Sequence, residues 1–312
     1  MKTMIIYPDV EIWNFVLEGI DGERDVELIP LNRYCNLFQL LCRKYLGGFR
    51  MPSALVLGSV LRKKLSGLKK NDSLIICDYT DLVFNGAIRK CVKQGVSVNL
   101  WFWNSMESNI TLRKQIVEIK AIGRIPVYTF DKKDAKEYGL CYLNQIYPIF
   151  KHLEENAVEP CSDFYFLGCD KQRAPILEDL KNVLANYKCD FRVINAPKDY
   201  ITYKENIDNV KRTRCVVDIV QTCQVGLTLR PLEALTFRKK LITNNRDIIH
   251  YDFYNHKNIF VLGVDPVSNL ESFMAQPYVD IPKDVLMKYD VNRWVETLSQ
   301  STVATLQIKQ HQ

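Results

Sequence analysis

Gly226–Asn245 reads GLTLRPLEALTFRKKLITNN, and its pattern governs how the rest of the chain is read. Thr228 has the short polar side chain of a helix N-cap, and Pro231 falls in the first helical turn, where a missing N–H breaks no intrahelical bond. Leu232, Leu235 and Phe237 then form the apolar face of a short helix. Lys239-Lys240 lead into Leu241-Ile242-Thr243, a short apolar strand stopped by Asn244-Asn245. A loop, a helix and a buried strand in this order make one step of a parallel α/β sheet. The helix start leaves orphan N–H groups and a positive dipole end, with Gly226, Thr228, Arg230 and Glu233 alongside. An arginine and a carboxylate at such a start suit a ligand with both phosphate and sugar hydroxyls.

The same alternation extends in both directions. Upstream in the second half, Asp163–Leu167, Phe191–Ile194 and Cys215–Val220 read as strands, with helices at Arg173–Tyr187 and Tyr203–Arg212. Asn258–Leu262 follows as a further strand. In the first half, Thr3–Tyr7, Asp25–Pro30, Ser73–Cys77, Val96–Phe102 and Ile125–Thr129 read as strands. Helical patterns cover Val10–Gly19, Asn85–Lys93 and Leu112–Ile122. The polar stretch Lys151–Ser162 resembles a connector, and Tyr289–Leu298 is helical before a polar tail. With 312 residues the chain exceeds one comfortable core. The expected fold is therefore α/β, with two Rossmann-like domains facing a central cleft, 1–150 and 151–312. No sequence repeat links the halves.

Composition narrows the classes. The hydrophobic fraction (47%) and charged fraction (25%) are those of an ordinary globular protein. No apolar run approaches the roughly 20 residues of a membrane helix, and MKTMIIYPDVEIW turns acidic too soon for a signal peptide. Ten cysteines without a CxxC pair, and only four histidines, argue against a zinc site and for reduced thiols in the cytoplasm. The net charge is +6, and its placement says more than its size. From Leu28 to Asn71 there is no acidic residue, but there are Arg33, Arg43, Lys44, Arg50, Arg62, Lys63, Lys64, Lys69 and Lys70, with Phe38, Tyr45, Phe49 and leucines between them. Such a segment suits an anionic membrane surface, at the inner face of the cell membrane, or an anionic lipid-linked acceptor. A solvated basic face is the plain alternative. No nucleic-acid motif accompanies it.

Three loops of the second half follow strands at their carboxyl ends, where open parallel sheets bind ligands. The first carries Gly168, Asp170, Lys171 and Arg173, a glycine for close backbone approach and two cations for a diphosphate. The second carries Tyr203, an aromatic fit to border a nucleobase. The third is the opening stretch, where Glu233 could accept from both hydroxyls of a ribose. Each has a plainer reading: a solvated helix face for Lys171 and Arg173, a packed tyrosine, or a carboxylate gaining about 0.3–1 kcal/mol from a helix dipole. In the first half, Asp78, Asn104 and Asp131 end strands, and turn or cap roles are the common ones there.

Gly168-Cys169-Asp170-Lys171-Gln172-Arg173, Tyr203-Lys204-Glu205-Asn206, Gly226–Asn245 and YDFYN at Tyr251–Asn255 together resemble bacterial glycosyltransferases of the GT-B architecture. The group concerned is that of lipopolysaccharide core or capsular polysaccharide assembly. TFDKKDAKEYGL at Thr129–Leu140 resembles that group's segment near the end of its N-terminal domain. The resemblance implies a nucleotide-sugar donor in the C-terminal domain, a saccharide or lipid-linked acceptor in the N-terminal one, and no essential metal. Many retaining relatives carry two glutamates eight positions apart. Glu233 matches the second, while the first place holds Val225, beside Gln224, so the stereochemical outcome stays open.

The expected activity is sugar transfer from a nucleotide diphosphate sugar, a co-substrate rather than a cofactor. Gly168, Asp170, Lys171, Arg173, Tyr203, Gly226, Thr228, Arg230 and Glu233 would bind the donor. Asp78, with Asp131 as runner-up, would be the base if the reaction inverts. A nucleotide-sugar epimerase or dehydrogenase would need a G-x-G-x-x-G turn after the first strand, where Tyr7-Pro8-Asp9-Val10 stands instead. A non-catalytic nucleotide-sugar or glycan-binding protein is the alternative that keeps the donor loops.

Overall fold

The computed structural model describes residues 1–46, 57–104, 106, 110–122, 125–170, 173–220 and 226–300; the side chains of 43–46, 110–112, 114 and 122 are also outside the description. Phe49, Arg50, Lys171, Gln224 and Val225 therefore lie outside the described residues.

The chain is α/β and Rossmann-like, with two parallel sheets. The first contains β1 (Thr3–Tyr7), β2 (Val26–Pro30), β3 (Ser73–Cys77), β4 (Ser97–Phe102), β5 (Val127–Thr129) and β6 (Cys141–Tyr142), in the order β2-β1-β3-β4-β5-β6. The second contains β7 (Ser162–Cys169), β8 (Cys189–Ile194), β9 (Thr213–Asp218), β10 (Lys240–Thr243) and β11 (Ile259–Val261), in the order β11-β10-β9-β7-β8. Every pairing is parallel. Counted from its own first strand, each sheet thus begins 2-1-3-4-5, the flavodoxin-like doubly wound order.

Parallel strands need helical crossovers, and helices on both faces bury the strands completely. β1 and β3 are buried at every position, which is why TMIIY and SLIIC read as continuous apolar runs rather than alternating ones. Helices Ser59–Ser66 and Gly86–Lys93 contribute Leu61, Leu65, Ile88 and Cys91 to the core under the first sheet. Leu177 and Leu180 from helix Ala174–Val183 and Phe273 from helix Leu270–Ala275 contribute to the core under the second.

Backbone contacts divide the chain into two units, and the division is not linear. The first unit comprises Met1–Asn14, Ile20–Asn144 and the segment beginning at Asn292; the second comprises Phe15–Gly19 and Gln145–Val291. Helix Val291–Gln300 returns to the first sheet, where Trp294 packs edge-on against Trp101 at 5.9 Å. Asn99 Nδ2 donates to Leu298 O at 2.7 Å, and the hydroxyls of Thr3 and Ser299 lie 2.9 Å apart. Phe15 instead packs within the second unit, stacked on His152 at 5.0 Å and edge-on to Tyr203 at 5.1 Å.

The stretch Gly226–Asn245 forms helix Leu229–Thr236 and then β10. Pro231 is the third helical residue, within the first turn. Leu232, Ala234 and Leu235 are buried, while Phe237 is the C-cap residue rather than part of the helix. Arg238 follows at φ +53° and turns the chain down into β10.

Candidate functional site

In a doubly wound sheet, helices leave in opposite directions from the two strands flanking the reversal of order, and a crevice opens beyond their carboxyl ends. Those strands are β7 and β9 in the second sheet, β1 and β3 in the first.

Asp218 is the last residue of β9 and is fully buried. Its Oδ1 accepts from Thr228 Oγ1 at 2.9 Å and Arg230 Nη1 at 3.3 Å, and its Oδ2 accepts from Thr243 Oγ1 at 3.1 Å. Thr228 occupies the N-cap position of helix Leu229–Thr236, but its hydroxyl is committed to Asp218 and makes no cap hydrogen bond. Arg230 reaches across to β7. Its Nε and Nη2 donate to Leu167 O at 3.2 and 2.5 Å, and its guanidinium lies 5.0 Å from the centre of the Phe166 ring. A Cβ on Gly168 would stand 2.6 Å from Arg230 Nη2. The close approach that glycine permits here is thus made by the protein's own arginine.

Arg173 bridges the same two strand ends. Its Nε donates to Ile219 O at 2.6 Å and its Nη1 to Cys169 O at 3.0 Å, with only 7% of the residue exposed. Burial lowers its pKa, and the nearby Arg230 charge lowers it further. Two cations that disfavour one another are therefore held at one switch point, with the Asp218 and Asp170 carboxylates offsetting part of that repulsion. Asp170 serves the helix start, with Oδ1 accepting from Ala174 N–H at 2.9 Å. Gly226 is buried at the entry to the helix.

Glu233, only 4% exposed, belongs to a tyrosine network one turn further along. Its Oε1 accepts from Tyr203 OH at 2.7 Å and from Asn206 Nδ2 at 3.4 Å. The Tyr147 hydroxyl lies 3.3 Å from that of Tyr203, and Tyr165 OH donates to Asn206 Oδ1 at 3.0 Å. Burial pushes the Glu233 carboxyl up, although the Tyr203 bond and Arg230 oppose it. Burial beside Glu233 pushes the Tyr203 and Tyr147 phenols well above their ordinary range.

In the first sheet, Asp78 directly follows β3 and sits at φ +60°, a left-handed conformation that aspartate tolerates better than most residues. Its Oδ1 accepts from Trp103 N–H at 2.8 Å and its Oδ2 from Trp13 Nε1 at 3.1 Å. Burial nevertheless pushes the carboxyl from an ordinary 3.8 to about 6. The rings of Trp13 and Trp103 meet edge-on at 4.0 Å, and Trp294 lies 6.5 Å from Trp13 and 5.9 Å from Trp101. All four tryptophans of the chain gather in this cluster. At the carboxyl end of β1, Tyr7 OH donates to Asn14 Oδ1 at 3.0 Å, and just beyond it Arg33 forks onto Asp9 at 2.7 and 3.0 Å. Asp131 lies elsewhere. It is 2% exposed and caps helix Lys132–Tyr138, its Oδ1 accepting from the N–H groups of Lys133 and Asp134 at 2.8 and 3.1 Å.

The fold thus brings Gly168, Arg173, Thr228 and Arg230 to one strand-order reversal, pairs Glu233 with Tyr203, and sets Asp78 at the other reversal. It also supplies partners the sequence reading did not single out. Asp218 is the chief one, and its signal was an aspartate interrupting the apolar run CVVDIV. Trp13 and Trp103 are others; nothing local ties either to Asp78. Among the described residues, no three histidine, cysteine or acidic side chains are grouped as a metal ion would require. No helix among them is long and apolar enough to cross a membrane. The chain matches no protein-family model, and no curated protein matches it.

Proposed function

We propose that the protein is a glycosyltransferase of the GT-B type, moving a sugar from a nucleotide diphosphate sugar to a hydroxyl of a saccharide or lipid-linked acceptor in cell-surface polysaccharide synthesis. The observation that carries this reading is the pair Arg173 and Arg230 at the β7–β9 reversal, beside the uncapped start of helix Leu229–Thr236. In this reaction the acceptor oxygen attacks the anomeric carbon. The bond from that carbon to the β-phosphate oxygen breaks, and its electron pair leaves with the nucleoside diphosphate. The main demand on the protein is to stabilise charge growing on that phosphate, which guanidinium and backbone N–H groups do well. The bonds from Arg230 to Leu167 and Asp218 use three of the five N–H donors a guanidinium carries.

Asp78 takes the acceptor proton in an inverting reaction. A carboxyl that titrates at about 6 is a stronger base than an ordinary aspartate and is mostly ionised at neutral pH. Asp131 is committed to its helix cap and has no such role. Glu233 and Tyr203 position the ribose and base end of the donor.

The test is release of nucleoside diphosphate from a panel of UDP- and GDP-sugars, and of nucleoside monophosphate from CMP-sugars, with acceptor extract. Turnover that Arg230→Gln abolishes, and Asp78→Asn reduces without loss of donor binding, is the expected result. Tight binding with no turnover from any donor would instead make the protein a nucleotide-sugar sensor. No binding of any donor would remove the reading altogether.

A further inference from the structure

Helix Leu37–Leu46 presents apolar side chains to solvent. Leu37, Phe38 and Leu41 are 73%, 59% and 44% exposed, whereas Gln39 and Cys42 are 6% and 7% exposed. This orientation is fixed at the helix start, where Asn36 and Gln39 exchange bonds. Asn36 N–H donates to Gln39 Oε1 at 3.0 Å, and Gln39 N–H donates to Asn36 Oδ1 at 2.9 Å. Such a reciprocal pair works as a capping box, so the apolar face cannot roll inward without losing both bonds. Helix Ser59–Ser66 begins alongside. A Cβ on Gly58 would collide with Tyr34 O and stand 3.8 Å from Gln39 Oε1. Val60, on this second helix, is 58% exposed.

Exposed cations accompany these helices along the same layer of the fold. Arg62, Lys63, Lys69 and Lys70 are exposed, whereas Lys64 is bonded to Glu27. Helix Gly86–Lys93 shares the same core cluster with helix Ser59–Ser66, through Ile88 and Leu61, and adds exposed Arg89 and Lys90. Crossovers from β2 to β3 and from β3 to β4 run in one direction along the sheet, so right-handedness puts both helices on the same face. The segment from Leu28 to Asn71 contains no acidic residue to neutralise that face.

We propose that this face of the first unit docks on an anionic lipid bilayer, with Leu37, Phe38, Leu41 and Val60 entering the headgroup region and the exposed cations of the neighbouring helices and the turn before β3 lying over anionic headgroups. Apolar groups on a short helix flanked by basic side chains are what an interfacial helix uses. The long, exposed lysine and arginine arms match a diffuse layer of negative charge better than a shaped protein surface. The inference makes no use of the donor site, so it stands or falls separately from the transferase reading.

The test is sedimentation of the full chain with vesicles of phosphatidylcholine alone, and with phosphatidylglycerol added. Binding only to the mixed vesicles is expected, with release at about 1 M salt, where the Debye length is about 3 Å. Lys63→Gln, Lys69→Gln and Lys70→Gln together should lower partitioning about a hundredfold, at about fivefold per cation. Leu37→Ser with Phe38→Ser should lower it by at least about tenfold. Both variants change exposed side chains, and circular dichroism checks that each is folded. Four results would overturn the proposal: no binding to either vesicle, equal binding to both, binding unchanged in either variant, or a serine variant that instead splits a dimer seen by light scattering. The last would assign the face to a second copy of the chain.

Discussion

Replacing Asp78 with asparagine should flatten the pH dependence of stability in the first unit. In the folded protein the carboxyl titrates at about 6 rather than near 3.8. The folded state therefore holds this proton more tightly than the unfolded chain does. The stability so gained is complete below about pH 3.8 and is lost as pH rises through about 6. At about 1.36 kcal/mol per pKa unit the whole loss is about 3 kcal/mol, with about 1.4 kcal/mol of it between roughly pH 5 and 8. Asparagine suits the left-handed backbone at φ +60°, and its amide oxygen can still accept from Trp103 N–H. Its NH2 group then opposes the Trp13 Nε1–H donor, a cost that does not change with pH. Comparing the two proteins across pH thus isolates the titration. Urea unfolding followed by tryptophan emission is the assay, since all four tryptophans lie in the first unit's cluster. The wild-type curve should fall relative to the variant's by about 1.4 kcal/mol over that interval. In the native protein, emission should titrate near pH 6 and the variant should show no such step. Parallel stability curves from roughly pH 5 to 8 would refute the reasoning, because they would mean that Asp78 ionises as readily folded as unfolded.

Asp218→Ala removes the acceptor of three donors, one of them a guanidinium, and should cost about 3–5 kcal/mol in urea unfolding followed by circular dichroism. An unchanged midpoint would mean that Asp218 is not the hub of the β7–β9 reversal. Gly168→Ala should push Arg230 off the Leu167 carbonyl, cost about 1–3 kcal/mol, and weaken donor binding in calorimetry; wild-type affinity would detach Arg230 from the donor. Glu233→Gln keeps an oxygen for Tyr203, so the fold should stay within about 1 kcal/mol while donor affinity drops. If affinity holds, Glu233 is a structural member of the tyrosine network only. Asp131→Ala should cost about 1 kcal/mol through the lost cap and leave turnover untouched, which a steady-state assay on the variant checks.

Much of the fold is legible in local pattern. The strands Thr3–Tyr7 and Ser73–Cys77 can be read to the residue, because strands buried on both faces are unbroken apolar runs bounded by polar residues. Helix ends are less legible. The pattern Arg173–Tyr187 continues past Val183, where the helix stops and a turn closed by Tyr187 N–H on Leu184 O takes over. Periodicity records which side faces the core, and it does not record where the chain must bend toward the next strand. The candidate site shows the same limit. Asp78 and Asp131 have similar local signatures, an aspartate after an apolar run. One becomes a helix cap and the other a buried carboxyl held by two tryptophans, and the difference lies in what packs around each.

What the sequence determined by itself is the alternation of buried strand and amphipathic helix, and with it two parallel sheets whose loops carry the charged residues. Those features depend on side-chain burial and turn chemistry within a few positions. The tertiary structure alone decided the order of the strands. That order sets β7 beside β9, bringing Arg173, Asp218 and Arg230 to one reversal. It alone also returned helix Val291–Gln300 to the first sheet, completing the tryptophan cluster beside Asp78. Strand order and such returns follow from non-local packing, where the gain lies in contacts between segments far apart in sequence that no short window contains.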